Sequence, residues 1–177
     1  MQVYQMITGG GPIVYLLILI NIVGVATILW KFFTLKDFRT QLSTHIDQFV
    51  EKFDKLKLDK NDSASIVILK DHIADDVQKL ETGLGAIKMI ATIAPLMGLL
   101  GTVWGILTSF KVISEVGLNN PALFASGIST ALITTVAGLV VAIIHYVGHQ
   151  YLSSQLDALE GQLEKTIVPK IFGKQGQ

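Results

Sequence analysis

The chain contains no cysteine. That excludes disulfides, thiolate nucleophiles and cysteine-ligated metals. Charge is scarce: 16% of residues are Asp, Glu, Lys or Arg, against about 25% in an average soluble domain. Neither sign dominates, since 14 Lys plus Arg balance 14 Asp plus Glu, so the basic excess of a nucleic-acid binder is missing. Disorder is excluded for the opposite reason. It needs low hydrophobicity and high net charge, whereas 50% of this chain is hydrophobic and its mean hydropathy is +0.53. The sequence has no G-x-x-x-x-G-K-[ST] loop and no His cluster at metal-ligand spacing. No cofactor or metal is therefore expected, and an enzyme is the least favoured class. Internal repeats and interrupted apolar segments, the marks of many secondary transporters, are also missing.

What is present is a set of long charge-free stretches. Met1 to Trp30, Met89 to Phe110 and Val116 to Gln155 hold no Asp, Glu, Lys or Arg. Each exceeds the ~20 residues that cross a bilayer core. They predict an all-α integral membrane protein with three transmembrane helices, near 12–33, 87–110 and 122–147. The first is not expected to be a cleaved signal peptide: no basic region precedes it, no A-x-A-like site follows it, and Lys31, Lys36 and Arg39 come directly after it. Gly9-Gly10-Gly11 reads as a flexible lead-in.

Lys31, Lys36, Arg39, Lys52, Lys55, Lys57, Lys60, Lys70, Lys79 and Lys88 lie between the first two spans. Lys165, Lys170 and Lys174 follow the third, and only Lys111 lies between the second and third. The positive-inside rule then puts the N-terminus in the periplasm and the C-terminus in the cytoplasm. Trp30, Tyr146 and Tyr151 fall at the inner interface and Tyr4 and Tyr15 near the outer one.

Two amphipathic helices are predicted in the cytoplasmic part. Phe38, Leu42, Ile46, Phe49, Phe53 and Leu56 form one apolar stripe, and Ile66, Leu69, Ile73, Val77, Leu80 and Leu84 form the next. Asp59-Lys60-Asn61-Asp62-Ser63 separates them, with Asp62 or Ser63 as N-cap. The second is expected to run on into span two. Leu152, Leu156, Leu159, Leu163 and Ile167 similarly carry span three onward until Pro169 and Gly173 end it. Two spans are thus expected to extend far into the cytoplasm. Their stripes must bury against something, either one another or, the favoured reading, neighbouring copies. The expected segments are 1–34 (first span), 35–86 (cytoplasmic helices), 87–147 (two pore-forming spans with a short periplasmic connection) and 148–177 (cytoplasmic helix and tail).

Spans two and three are rich in small and hydroxyl-bearing residues. Span two holds Pro95, Gly98, Gly101, Thr102, Gly105, Thr108 and Ser109. Span three carries Ser126, Thr130, Thr134, Gly138 and Ala142 at every fourth position, beside Gly127, Ala131 and Thr135. Small residues let membrane helices approach closely, and a Thr hydroxyl can satisfy itself on its own helix backbone. The clustering of Thr102, Thr130, Thr134 and Thr135 at mid-span points further, to a conduit for water or a small cation. No acid or base sits at mid-depth, although ion relays normally use one. A titrating carboxylate would have to come from another chain. His145 and His149 read as interfacial anchors, and Asn21 is expected to bond to a neighbouring helix.

The run Ala94-Pro95-Leu96-Met97-Gly98-Leu99-Leu100-Gly101-Thr102-Val103-Trp104-Gly105 resembles the second-span signature of the MotA/TolQ/ExbB proton-channel family. Gly127-Ile128-Ser129-Thr130-Ala131-Leu132-Ile133-Thr134-Thr135-Val136-Ala137-Gly138-Leu139 resembles its third-span signature. The likeness covers roughly residues 65–170 and is closer to the compact ExbB and TolQ branch than to the MotA branch. It implies a homopentamer in a bacterial inner membrane, surrounding the spans of an ExbD-like or TolR-like partner that carries the essential Asp. It also implies motion driven by proton flow and passed to a TonB-like or TolA-like periplasmic protein, for outer-membrane transport or envelope integrity. Thr102 and Thr135 match the family's pore-lining threonines. Thr130 stands where many members have Glu, which leaves the ring neutral and keeps a sodium-driven motor open. A purely structural membrane scaffold is the rival class.

Overall fold

The structure, a computed structural model, describes residues 10–55, 63–117 and 121–173. Tyr4, Gly9, Leu56, the break at 59–62, the connection at 118–120 and Lys174 lie outside the described residues. The fold is all helical: α1 Gly11–Thr40, α2 Leu42–Lys55, α3 Ser63–Glu81, α4 Leu84–Val116 and α5 Pro121–Phe172. Among the described residues, α1, α4 and α5 are the three helices long and apolar enough to cross a membrane. The 52 residues of α5 give it a length of about 78 Å at 1.5 Å per residue.

Two expected boundaries are corrected. α3 does not run on into α4: Gly83 adopts φ +97°, a left-handed conformation that ends a helix, and Thr82 N–H turns back to the Lys79 carbonyl at 3.4 Å. Pro169 does not itself stop α5, which continues to Phe172 and ends, as expected, at Gly173; a proline deletes one backbone donor, and the last turn continues past it. At the other end of α4, Gly117 N–H closes the helix on Ile113 O at 2.8 Å, with φ +72°.

The described residues form two compact units, Met1–Ile28 with Gly85–His149 and Leu29–Leu84 with Gln150–Gln177. In the first, α4 and α5 pack antiparallel. Ala94 meets Gly138, Gly98 meets Thr134 and Thr135, Gly105 meets Gly127 and Ala131, and Ser109 meets Gly127. The α1 helix closes this pair with Leu17, which is buried with Ala94, Val141 and Ala142.

In the second unit the apolar stripes cover one another. Ile46, Phe53, Leu69, Ile73 and Val77 are buried, as are Leu152, Leu156, Leu159, Leu163 and Ile167. The expectation that these stripes need neighbouring copies is therefore corrected: α2, α3 and the C-terminal part of α5 bury them within one chain. Polar contacts rim the core, with Lys70 on Glu164 at 2.9 Å and Lys170 on Asp47 at 2.6 Å. The carboxylate of Asp76 accepts a hydrogen bond from Lys79 and holds that ammonium above the ordinary lysine range. Lys31 donates to the Leu80 carbonyl at 3.1 Å, which places a cation at the C-terminal end of α3, where exposed carbonyls favour it.

Leu159 is 0% exposed. Leu159→Ala is expected to lower unfolding stability by about 2–5 kcal/mol, measured by denaturant titration in detergent. Leu132→Ala, at a 62% exposed site, should change it far less.

Candidate functional site

The candidate site is the α4–α5 pair. Its sequence makes it possible, because glycines on α4 leave no side chain to hold the backbones apart. A β-carbon at Gly98 would lie 2.9 Å from the Thr134 carbonyl, and one at Gly105 would lie 2.7 Å from the Gly127 carbonyl. A β-carbon at Gly101 would collide with the Thr134 hydroxyl. Gly127 and Gly138 serve the same contact from α5, against Gly105 and Ser109 and against Ala94 and Gly98. Pro95 lies inside α4. Its missing N–H leaves the Ala91 carbonyl, one turn earlier, without its intrahelical donor.

The hydroxyls divide into three kinds. Thr134 is 1% exposed and donates to Ala131 O at 2.7 Å and to Gly98 O at 3.3 Å. It is locked between the helices. Thr135 is half-buried and reaches across the pair to Gly98 O at 3.1 Å. Thr102 is half-buried and donates to Leu99 O of its own helix at 2.6 Å. A hydroxyl that donates its hydrogen to a carbonyl still offers lone pairs, so Thr102 and Thr135 can accept from water or from an acid. Thr130 lines a cavity of about 470 Å³ with Gly101, Gly105, Thr108 and the Gly10–Gly11 start of α1. Ser109 ties the end of the pair nearest the α4–α5 connection by donating to Gly105 O at 2.9 Å and Phe124 O at 3.1 Å.

His145 is corrected from an interfacial anchor to a fully buried residue, 0% exposed. Its ring lies against Gly24 and beside Ile90. The Nδ1–H donates to Val141 O at 2.8 Å, which leaves Nε2 as the acceptor nitrogen. That Nε2 and Asn21 Oδ1 are buried with no hydrogen-bond partner. The signal missed in the sequence is Gly24, the single glycine between Pro12 and Thr40: a gap on α1 that a ring on α5 can fill. His149 is half-buried, and Tyr146 and Tyr151 are exposed. Among the described residues no group of three or more His, Cys, Asp or Glu is placed to hold a metal.

Comparison with known proteins covers this pair of helices together with α2 and α3. The profile of the MotA/TolQ/ExbB proton channel family matches residues 41–165. The biopolymer transport protein exbB1 of Vibrio cholerae is 39% identical over 90 residues, 50% of this chain and 40% of the relative. The biopolymer transport protein ExbB of Pseudomonas putida is 42% identical over 71 residues, 40% of this chain and 22% of the relative. The Tol-Pal system protein TolQ of Pseudomonas aeruginosa is 36% identical over 90 residues, 51% of this chain and 39% of the relative. The chain thus matches under half the length of each of these relatives.

Gly105→Val should force α4 and α5 apart and lower the melting temperature of the detergent-solubilised chain, with a cost of about 1–3 kcal/mol. Gly85→Ala, where nothing lies within 4 Å of the added carbon, should leave the melt unchanged or raise it.

Proposed function

The chain belongs to the MotA/TolQ/ExbB proton channel family, and on that premise we propose that it is the pore-forming subunit of an ion-driven motor of the ExbB/TolQ kind. The observation that carries this is a mismatch: hydroxyls cluster on the α4–α5 pair while the apolar stretches of all three long helices contain no Asp, Glu, Lys or Arg. A wall of this kind receives a titrating group; it does not supply one. The proposed donor is an ExbD-like or TolR-like partner whose single span brings an Asp. Five copies of this chain would surround two such spans, with Thr102 and Thr135 facing the pore and Thr134 keeping each pair closed.

Two environments then alternate for the partner's acid. Against the exposed apolar face of α4, which includes Leu96, Leu99 and Val103, the charged form is costly and the neutral acid is favoured. Beside Thr102 and Thr135, hydroxyl lone pairs and the water they hold lower that cost. Loading and release of the proton select which face the acid turns toward. Access from opposite sides of the membrane would make the selection directional, and the motion would drive a TonB-like or TolA-like periplasmic protein in outer-membrane transport or envelope integrity. The MotA/TolQ/ExbB family is a class of channels rather than of enzymes.

The same reading places the chain in a bacterial inner membrane. Thirteen of its fourteen basic residues fall between spans one and two or after span three, which supports a periplasmic N-terminus and a cytoplasmic C-terminus. Segments 1–34 and 87–147 would then be the membrane parts, and 35–86 and 148–177 the cytoplasmic ones. Sodium is the second reading for the ion, favoured by Thr130, which keeps the ring neutral and adds a hydroxyl oxygen of the type that hard cations accept.

Thr135→Val keeps the side-chain shape and removes the hydroxyl. In proteoliposomes with the partner co-reconstituted, Thr135→Val and Thr102→Val should each assemble normally and cut ion flux at least about tenfold, equivalent to a barrier raised by ~1.4 kcal/mol or more. Unchanged flux would favour a structural scaffold. Running the assay with proton and sodium gradients separately identifies the ion.

A further inference from the structure

In the unit of residues 29–84 and 150–177, a cavity of about 290 Å³ lies where the apolar run of α1 ends. Lys36 and Arg39, three residues apart and so neighbours on one helix face, line it together with Thr40 and Phe32. Tyr151 and Gln155 of α5 form the opposite wall. No carboxylate lines this cavity, and neither Lys36 nor Arg39 forms an ion pair among the described residues. The adjacent acid, Asp37, is outside the lining and accepts a hydrogen bond from Gln41 Nε2 at 3.3 Å. The Thr40 hydroxyl donates to Lys36 O at 3.0 Å. The rings of Phe32 and Tyr151 stand 6.3 Å apart and tilted by 32°, giving the two cations an apolar rim. Immediately before them on α1, Leu29, Trp30, Phe32 and Phe33 are all exposed.

We propose that this cavity binds the phosphodiester headgroup of an anionic phospholipid. The phosphate sits between Lys36 and Arg39, where a guanidinium can bind two of its oxygens at once. Tyr151 and Gln155 supply further donors, and an acyl chain leaves past Phe32 toward the exposed apolar face of α1. A soluble phosphoester could use the same two cations, but it has no use for the aromatic rim or for the step from apolar to basic residues along one helix. Basic recesses beside membrane helices bind anionic headgroups for this reason. The proposal requires α1 to lie in a bilayer and is independent of the ion path, so loss of ion flux in the threonine variants neither supports nor damages it.

The test is native mass spectrometry of the full chain in detergent with phosphatidylglycerol and phosphatidylcholine of identical acyl chains. The chain should retain phosphatidylglycerol at least about tenfold more strongly. Lys36→Gln and Arg39→Gln should each weaken it about fivefold, and the pair about 25-fold, as expected for cations acting at a headgroup. Lys36→Arg should retain it, and Lys165→Gln, outside the cavity, should change nothing. Both cations are exposed, so an unaltered thermal melt shows that the double variant is folded. Equal retention of the two lipids, or a double variant as retentive as the parent, overturns the proposal. So does displacement of the lipid by millimolar glycerol 3-phosphate, which would assign the cavity to a soluble phosphoester.

Discussion

At Gly98 the backbone of α4 comes close enough to α5 for one carbonyl oxygen to accept the hydroxyls of both Thr134 and Thr135. Everything assigned to the candidate site depends on that approach. Without side chains at Gly98, Gly101 and Gly105, the two helices press backbone against backbone and bring polar groups together in an apolar setting. Each hydroxyl spends its hydrogen on a carbonyl, so no donor is stranded in a place where an unmet polar group is costly. The oxygens remain as acceptors. A surface of this kind is stable without a charge of its own and can still meet one.

That distinction separates the chain's two parts chemically. The residues of 85–149 hold small and hydroxyl-bearing side chains, with Lys88, Lys111 and Glu115 toward the ends of α4. The residues of 29–84 and 150–177 hold leucine and isoleucine stripes with ion pairs at their edges, such as Lys70 with Glu164. The first arrangement suits a hydrocarbon surround, where packing and internal hydrogen bonds must hold helices together. The second suits water, where burying a stripe is itself stabilising. Membership of the proton channel family fits the first arrangement, and the small residues that carry the likeness lie within it.

Much of this was legible in the sequence because it is written in what residues leave out. Charge-free runs gave the three long helices, and the fourfold spacing of Thr130, Thr134 and Gly138 gave the packed face of α5. Thr134 and Thr135 could not be told apart by pattern, since adjacent hydroxyls differ only by 100° of rotation, and the partner helix decides which is enclosed. The stop at Gly83 was hidden because Leu80 and Leu84 keep the helical period on both sides of the break. Periodicity reports which face is apolar, and a left-handed residue between two turns does not interrupt it. The pattern misplaces His145 for a related reason. Its position near the end of an apolar run suggests an edge, and only the contour of the neighbouring helix reveals a recess.

The recess also limits what these two positions can become. The His145 ring occupies the space that a side chain at position 24 would need. Any residue larger than glycine there must evict the imidazole, and any loss of the imidazole opens a hole beside Gly24 and Ile90 in the packed interior. Residues 24 and 145, on helices far apart in the chain, therefore behave as one heritable unit: a sequence drifting away from this one should exchange both together or neither.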